Sequence, residues 1–291
     1  MGGNAIADIL FGKVSPSGKL PVTFPKAVGQ IPIYYNHTNT GRPATGKEKP
    51  LDEIPLNAKQ SVLGHSSYYL DLDAQPLFPF GYGLSYTTFE YSNLRLANKI
   101  LNANDTLSIS VNIKNTGQYR GAETIQVYIS DLVGSVTRPV KELKGFTKLF
   151  LQPRETKKAQ MKISARDLSF YNEEIKDWYA PSGTYEILIG HASDDIRISC
   201  EVSFTTKKQL PFQVTGTTTI GELLADSRTA AATMELLAPL QQNGENGEEI
   251  SEADQQMIQA ILEGLPLKSL SIAGVTGETI EGIIYKLNEL C

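Results

Sequence analysis

Between residues 91 and 204 the hydrophobic positions follow a period of two, as expected for β-strands with one buried face. Alternating runs occupy residues 107–113, 125–129, 159–163, 185–189 and 196–204, and turn residues such as those at 115–117 and 181–183 separate them. About seven short strands in roughly 115 residues are typical of a two-sheet antiparallel sandwich. The pattern therefore predicts a β-sandwich over residues 89–206.

After residue 206 the hydrophobic period becomes helical. Thr219 and Glu222 form a capping box, and the apolar residues that follow predict a first helix over residues 220–240. A second helix is predicted from Ser251 to Gly264 and a third around Ile280 and Leu287. We expect a small helical domain over residues 219–291, joined to the sandwich by a linker over residues 207–218.

The N-terminal part of the chain has too few elements to bury its own apolar residues. Residues 1–12 predict a short helix with Ile6, Ile9 and Leu10 on one face, and residues 20–24 predict a strand that Pro25 ends. One helix and one strand need a sheet to pack on, so we interpret residues 1–25 as an α/β remnant. Residues 26–88 follow as a long connecting loop. We expect residues 1–80 to be poorly ordered alone and dispensable for the sandwich.

Charge separates the tail from the rest of the chain. The 291 residues carry a net charge of −5, and residues 207–291 hold 5 Lys/Arg and 12 Asp/Glu, a net charge of −7. This distribution offers no basic surface for nucleic acid or anionic lipid. Neither a signal peptide nor an apolar run of the ~20 residues that span a bilayer is visible, and the compartment stays unassigned.

Three motifs identify a family. They are SGKLPVTFP at residues 17–25, PFGYGLSYTTF at residues 79–89 and RPVKELKGF at residues 138–146. In order and spacing they resemble the C-terminal part of glycoside hydrolase family 3, the β-glucosidase and β-xylosidase family. The resemblance runs from about residue 1 to residue 204. The tail resembles, less closely, a helical extension of some bacterial members.

The resemblance implies a fold, an activity and a place in a larger enzyme. It implies a fibronectin type III-like sandwich after the end of an α/β sandwich domain, in an enzyme that hydrolyses terminal β-linked sugars. The family's nucleophile and acid/base would lie upstream of Met1, which resembles an internal methionine of a longer protein. One departure is that Arg154 stands where the family often has glycine, which leaves the turn type open.

The chain itself shows no convincing set of catalytic or metal-binding residues. Glycoside hydrolysis usually needs two carboxyl groups about 5–5.5 Å apart in retaining enzymes, whereas the acids here are sequence neighbours in turns. Neither cysteine has the partners of a disulfide framework or metal site, and no cofactor is expected. We therefore predict no catalytic residue and no metal ligand. The acid pairs are Asp52 and Glu53, Glu173 and Glu174, and Asp194 and Asp195; the histidines are His37, His65 and His191; the cysteines are Cys200, predicted to be buried, and Cys291.

Sugar binding stays open at two places. In the long loop His37, Arg42 or Tyr69 could contact a sugar, although we favour the interpretation that they pin the loop on the missing domains. Asp71 and Asp73 are too few for a calcium shell and are interpreted as solvated. In the sandwich, Trp178 and Tyr179 beside Asp177 are the candidate aromatic platform of a carbohydrate-binding module.

Two interpretations of the whole chain follow. We favour the non-catalytic C-terminal portion of a β-glucosidase-like enzyme, and the alternative is an independent carbohydrate-binding or protein-interaction module. The expected partners are the missing N-terminal catalytic domains, and an oligo- or disaccharide substrate only in the full-length enzyme. No nucleic acid or membrane is expected, and a homo-oligomer is left open.

Overall fold

The computed structural model describes residues 2–39, 41–44, 46, 48–58, 66–132, 136–208, 210–241 and 261–291. The chain divides into two compact units, Met1–Lys207 and Lys208–Cys291. Each unit is described by itself.

The first unit is built around a β-sandwich. One sheet has three strands in the order β1-β3-β6, and the other has five in the order β2-β10-β9-β4-β5. A two-stranded ribbon, β7-β8, follows the short helix α2, Ala165–Leu168. The strands are β1 Phe89–Leu96, β2 Ile100–Asn102, β3 Thr106–Asn115, β4 Gly121–Asp131, β5 Glu142–Leu151, β6 Thr156–Ser164, β7 Phe170–Asn172, β8 Asp177–Tyr179, β9 Gly183–Gly190 and β10 Ile196–Thr205.

The core lies between the two sheets and follows the alternation seen in the sequence. On β3, Leu107, Ile109, Val111 and Ile113 are buried and pack against apolar residues of β4, β9 and β10. Cys200 on β10 is partly buried against this core, and burial raises the pKa of its thiol. The predicted mainly-β fold with a fibronectin type III-like sandwich is therefore confirmed.

Strand β4 is buried on both faces. Residues Ile125 and Val127 point into the sandwich core, whereas Gln126 and Tyr128 alternate with them on the outer face. The long loop covers this outer face, because the ring of Tyr35 packs edge-on against Tyr128 with centroids 5.6 Å apart. The segment before residue 89 thus packs directly on the sandwich, which revises the expectation that the sandwich is independent of it.

The N-terminal segment contains less regular structure than predicted. Helix α1 spans Gly2–Leu10 as expected. The strand predicted over residues 20–24 is wrong: the segment is extended but forms only an isolated bridge between Phe24 and Phe78. A strand needs a continuous ladder of hydrogen bonds to a neighbour. Within the described residues, backbone bonds pair Leu20 with Gly81 and Tyr82, and Phe24 with Leu77 and Phe78, without forming such a ladder.

The second unit is a small helical domain, as predicted. The single helix predicted over residues 220–240 is instead two helices, α3 Ile220–Ala225 and α4 Ala230–Gln241. The break occurs at Asp226, whose carboxylate accepts hydrogen bonds from the backbone N–H (2.9 Å) and the guanidinium of Arg228. Such a local side-chain bond competes with the helical bond of the backbone.

The rest of the second unit packs around the same core. Residues 261–264 are helical, while the predicted second helix before them lies outside the described residues. A 3-10 helix at Leu267–Ala273 precedes helix α5, Gly277–Asn288. Val214 is buried in this core beside Phe212, so we propose that any flexible linker is confined to the residues around Lys207. None of the described helices has both the length and the apolar character needed to cross a bilayer.

Candidate functional site

A buried polar junction ties the N-terminal segment to the sandwich. Its centre is Glu123 on β4, whose side chain is only 1% exposed. The carboxylate oxygen Oε1 accepts a hydrogen bond from the Tyr91 hydroxyl of β1 at 2.8 Å and lies 2.6 Å from His191 Nδ1. The ammonium of Lys19, from the first motif, lies 3.7 Å from the same oxygen. We call these four residues the polar junction.

Lys19 and His191 also contact each other within the polar junction. Lys19 Nζ lies 2.9 Å from His191 Nε2 and donates to the His191 backbone carbonyl at 2.9 Å. The same imidazole nitrogen lies 3.1 Å from the carbonyl of Gly83 in the second motif. Three separate parts of the chain therefore meet at one imidazole ring.

Two glycines of the second motif allow this approach, each for a different reason. Gly81 has a φ of +80°, the left-handed region that favours glycine. Gly83 has no such φ, but a Cβ there would lie 2.2 Å from the backbone oxygen of Gly18. Gly81 is therefore explained by its backbone angle and Gly83 by close packing.

A second set of hydrogen bonds holds the second motif on the outer face of β4. Gln126 Nε2 donates to the Gly81 carbonyl at 3.2 Å and to the His191 carbonyl at 2.6 Å. The Tyr128 hydroxyl donates to Gln126 Oε1. The amide side chain of Gln126 is thus bonded through both of its polar atoms, which fixes the position of the glycine turn above it.

The electrostatics of the polar junction are those of a buried ion pair. Burial lowers the pKa of Lys19, and the nearby carboxylate of Glu123 opposes this shift. Burial and then Glu123 raise the pKa of Tyr91 well above its usual range. Although carboxylate, imidazole and amine groups can transfer protons, these are bonded to one another, and Glu123 is inaccessible to a substrate. The arrangement is suited to holding the segments together.

The third motif contains a comparable anchor. Arg138 is largely buried and donates to the backbone carbonyl of Leu168 at 2.6 Å. Its guanidinium pairs with Asp131 at 3.3 Å and with Glu142. Arg138 thus joins the two strands that flank its loop to the end of helix α2.

The long loop and the sandwich together form a groove of about 500 Å³. The groove brings together two of the three predicted sugar contacts, His37 and Tyr69, and its lining also includes Lys141 and Asp194. Lys141 donates to the Ser193 carbonyl, and burial lowers the pKa of its ammonium.

The third predicted sugar contact, Arg42, is not part of the lining of the groove. Its backbone carbonyl accepts a hydrogen bond from Ser67 at 2.8 Å. His65 lies outside the described residues. The predicted aspartates differ in environment, since Asp71 lies in the exposed loop, whereas Asp73 pairs with Lys26 at 2.7 Å, and this hydrogen bond lowers the Asp73 pKa.

The acidic pairs lie apart from one another in the chain's loops. Asp52 and Glu53 belong to the 3-10 turn Leu51–Glu53, and Glu173 and Glu174 lie in the turn between β7 and β8. Asp194 lines the groove, whereas Asp195 pairs with Arg197 at 2.6 Å. Within the described residues no group of three or more His, Cys, Asp or Glu side chains could hold a metal. The expectation that the chain has no catalytic pair stays a prediction.

The proposed aromatic platform does not form a flat surface. Trp178 is exposed beside Tyr171, but their rings meet at 71° with centroids 5.7 Å apart. The Arg166 guanidinium lies over the Trp178 ring, and Tyr179 packs edge-on against Phe170 at 6.0 Å. This geometry does not favour stacking of a sugar ring on the pair.

The residues of the polar junction were not identified from the sequence as a group. Glu123 carries a signal in retrospect, because it shares the inward face of β4 with Ile125 and Val127. A charge at an inward position needs a partner. The partners Lys19 and His191 are 172 residues apart, so the sequence pattern offers no way to pair them.

Comparison with known proteins now gives the family. Residues 1–86 match the glycosyl hydrolase family 3 C-terminal domain, and residues 123–193 match the fibronectin type III-like domain. This chain is the C-terminal portion of a glycoside hydrolase family 3 protein. The fibronectin type III-like match lies within the observed sandwich, which extends from Phe89 to Thr205.

Relatives of this family 3 chain include thermostable β-glucosidase B of Acetivibrio thermocellus, 35% identical over 295 residues and 99% of the chain. The periplasmic β-glucosidase of Salmonella typhimurium is 46% identical over 189 residues and 65% of the chain. The chain spans only 37% and 23% of the lengths of these relatives. Because the Acetivibrio match covers 99% of this chain, it extends into the helical unit.

Solved structures agree with the family assignment. A crystal structure of β-glucosidase from Listeria innocua in complex with glucose has a TM-score of 0.61 and is 40% identical. It covers 69% of this chain, which in turn covers 26% of the Listeria chain. The region described here is thus a small part of longer enzymes.

Proposed function

We propose that this chain is the non-catalytic C-terminal portion of a β-glucosidase-like enzyme, in which it packs on the catalytic domains and stabilises them. The full enzyme would hydrolyse terminal β-linked sugars, as the names of its relatives suggest. The observation that carries the proposal is the exposed apolar surface of the N-terminal segment.

That surface is too apolar for a segment that normally faces water. Helix α1 has no buried residue, and Ile6, Leu10 and Phe11 are 60%, 72% and 89% exposed. Val14 and Val22, which follow in the chain, are also exposed apolar residues. An exposed patch of this kind indicates a protein interface. The relatives are longer than this chain, and their additional domains supply a partner.

The polar junction explains how the chain would stabilise such domains. Lys19 and Gly83 fix the N-terminal segment on the sandwich, so that docking on the segment also positions the sandwich. Because the chain would bind the folded catalytic domains and not the unfolded ones, binding would shift their unfolding equilibrium towards the folded state by mass action.

Complementation in trans tests the proposal. The chain would be co-expressed with the part of the Acetivibrio enzyme that it does not match, with the relative's own matched part as the positive control. We expect co-purification and hydrolysis of an aryl β-glucoside by the mixture but by neither piece alone. Turnover by the chain alone would refute the proposal, as would a failure to bind where the control piece binds.

A second candidate is an independent sugar-binding module, and the observation that favours it is the groove containing His37 and Tyr69. Titration of the chain with cellobiose, followed by NMR, tests this function. Saturable shifts lost in Tyr69→Ala and retained in Tyr171→Ala would support it. A titration without shifts at millimolar sugar would exclude it.

A further inference from the structure

We propose that the surface which docks on the catalytic domains extends beyond the N-terminal segment onto the outer face of strand β5, through Phe146 and Phe150. We call these two residues the β5 pair. This inference rests on the proposed function and names where on the sandwich the partner binds. The occupant would be the catalytic portion of a family 3 β-glucosidase.

The β5 pair is exposed to an unusual degree for phenylalanine in a sheet. Phe146 and Phe150 are 69% and 70% exposed, and with Lys148 they occupy alternate positions on one face of β5. Alternate residues of a strand project from the same face, and residues four apart lie about 13 Å from each other. The two aromatic rings therefore present a broad apolar surface with an ammonium group between them.

The strand register places the β5 pair beside the N-terminal segment. Phe146 lies opposite Gln126 and Phe150 opposite Ala122 in the antiparallel pairing of β5 with β4. Opposed residues project from the same face of a sheet. This is the outer face on which Gln126 holds the Gly81 turn, so the segment covers β4 but leaves Phe146 and Phe150 of the edge strand β5 exposed.

Direct contacts make the two surfaces continuous. Lys148 Nζ donates to the backbone carbonyl and the hydroxyl of Ser17, each at 2.9 Å. Nearer the start of the N-terminal segment, the Tyr86 hydroxyl donates to the Ile9 carbonyl at 2.8 Å and thereby holds the end of helix α1. The N-terminal segment, which carries the exposed apolar residues, therefore contacts β5 at the residue between Phe146 and Phe150.

The choice of occupant follows from this continuity. The β5 pair adjoins the surface that the proposed function assigns to the catalytic domains. Most of the length of such a relative lies outside the matched part, since this chain spans only 37% of the Acetivibrio enzyme. A partner that docks on the N-terminal segment would reach Phe146 without any rearrangement of the sandwich.

The test compares the wild-type chain, the double variant Phe146→Ser with Phe150→Ser, and the control variant Tyr171→Ser. Tyr171 is also an exposed aromatic residue of a strand, but it lies on the β7-β8 ribbon. The measured quantity is the dissociation constant for the unmatched part of the Acetivibrio enzyme. Because both phenylalanines are exposed, the double variant should keep the thermal unfolding midpoint of the wild-type chain.

We expect the double variant to bind at least about 100-fold more weakly and the control to bind like the wild type, as buried aromatic anchors often dominate an interface. Equal binding by the double variant would overturn this inference while leaving the proposed function intact. No binding by the wild type, where the relative's own piece binds, would overturn both. Self-association of the chain that the double variant abolishes would identify a second copy as the occupant and refute the choice made here.

Discussion

Neutralising the central carboxylate of the polar junction should destabilise the sandwich strongly. In Glu123→Gln the side chain keeps its size and an oxygen for the Tyr91 hydroxyl, but the charge that faces Lys19 is lost. The Lys19 side chain is only 14% exposed, so its ammonium would stay buried without its nearest counter-charge. Removing one partner of a buried pair costs ~3–5 kcal/mol.

The structure places the expected cost near the lower end of that range. Lys19 retains its hydrogen bond of 2.9 Å to the His191 carbonyl, which keeps part of its stabilisation. We therefore expect a loss of about 3 kcal/mol, a large share of the ~5–15 kcal/mol that stabilises a typical domain. With a urea slope of ~2 kcal/mol/M, this corresponds to a midpoint lower by ~1.5 M.

The assay is urea unfolding followed by tryptophan fluorescence. The single tryptophan of the sequence, Trp178, lies on β8 in the first unit, so its emission reports that unit alone. The control is Glu155→Gln, which removes a partly exposed carboxylate 3.3 Å from Lys157 and keeps an oxygen for the backbone N–H of Gln152, so it should cost at most ~1 kcal/mol.

Lys19 and Glu123 should also be coupled in a double-mutant cycle. Because Lys19→Met removes the buried ammonium, adding Glu123→Gln to that variant should cost less than it does in the wild type, with a coupling of ~1–3 kcal/mol. Two outcomes would show that the polar junction does not stabilise the sandwich. One is an equal urea midpoint for Glu123→Gln and Glu155→Gln, and the other is a strictly additive cost of Lys19→Met and Glu123→Gln in the double variant.

Three further changes test other features of the first unit. Arg154→Gly should raise stability by ~0.5–1 kcal/mol in thermal or urea unfolding, because Arg154 has a φ of +65° that glycine adopts without strain. Gly83→Ala should cost ~1–3 kcal/mol, since its Cβ would collide with a backbone oxygen at 2.2 Å, whereas Gly145→Ala meets nothing within 4 Å and should be neutral. Burial raises the pKa of Tyr128 and Tyr185, so between pH ~10 and their raised pKa they ionise only in the unfolded chain. The free energy of unfolding should therefore fall above pH ~10, by up to ~1.4 kcal/mol per pH unit for each tyrosine. A urea midpoint that stays constant from pH 9.5 to 11 would contradict this.

The turn at Arg154 illustrates what a sequence leaves open. From the sequence, Arg154 stands where the family often has glycine, and the turn type is left open. In the structure Glu155 N–H donates to the Gln152 carbonyl at 3.1 Å around the positive φ of Arg154. The turn keeps the backbone of a glycine turn, because its hydrogen bonds and the flanking strands hold the less favourable residue in place.

In the helical tail, the sequence likewise left the course of the backbone open. Apolar spacing predicted one helix over residues 220–240, but the hydrogen bond that the Arg228 N–H donates to the Asp226 carboxylate interrupts it. Periodicity reports which residues face a core, and both α3 and α4 contribute residues to that core. It does not report whether the backbone between those residues stays helical.

The sequence by itself determined the sandwich, the family and the polarity pattern of the core. Alternation over β3 and β4 requires a buried face, and the three motifs are local strings that need no partner to be recognised. Only the tertiary structure decided why the motifs are needed, because Lys19, Gly83, Glu123 and His191 are distant in the chain and meet at one point. It also decided that Phe146 and Phe150 are exposed, since strand alternation gives two faces but does not say which the rest of the chain covers.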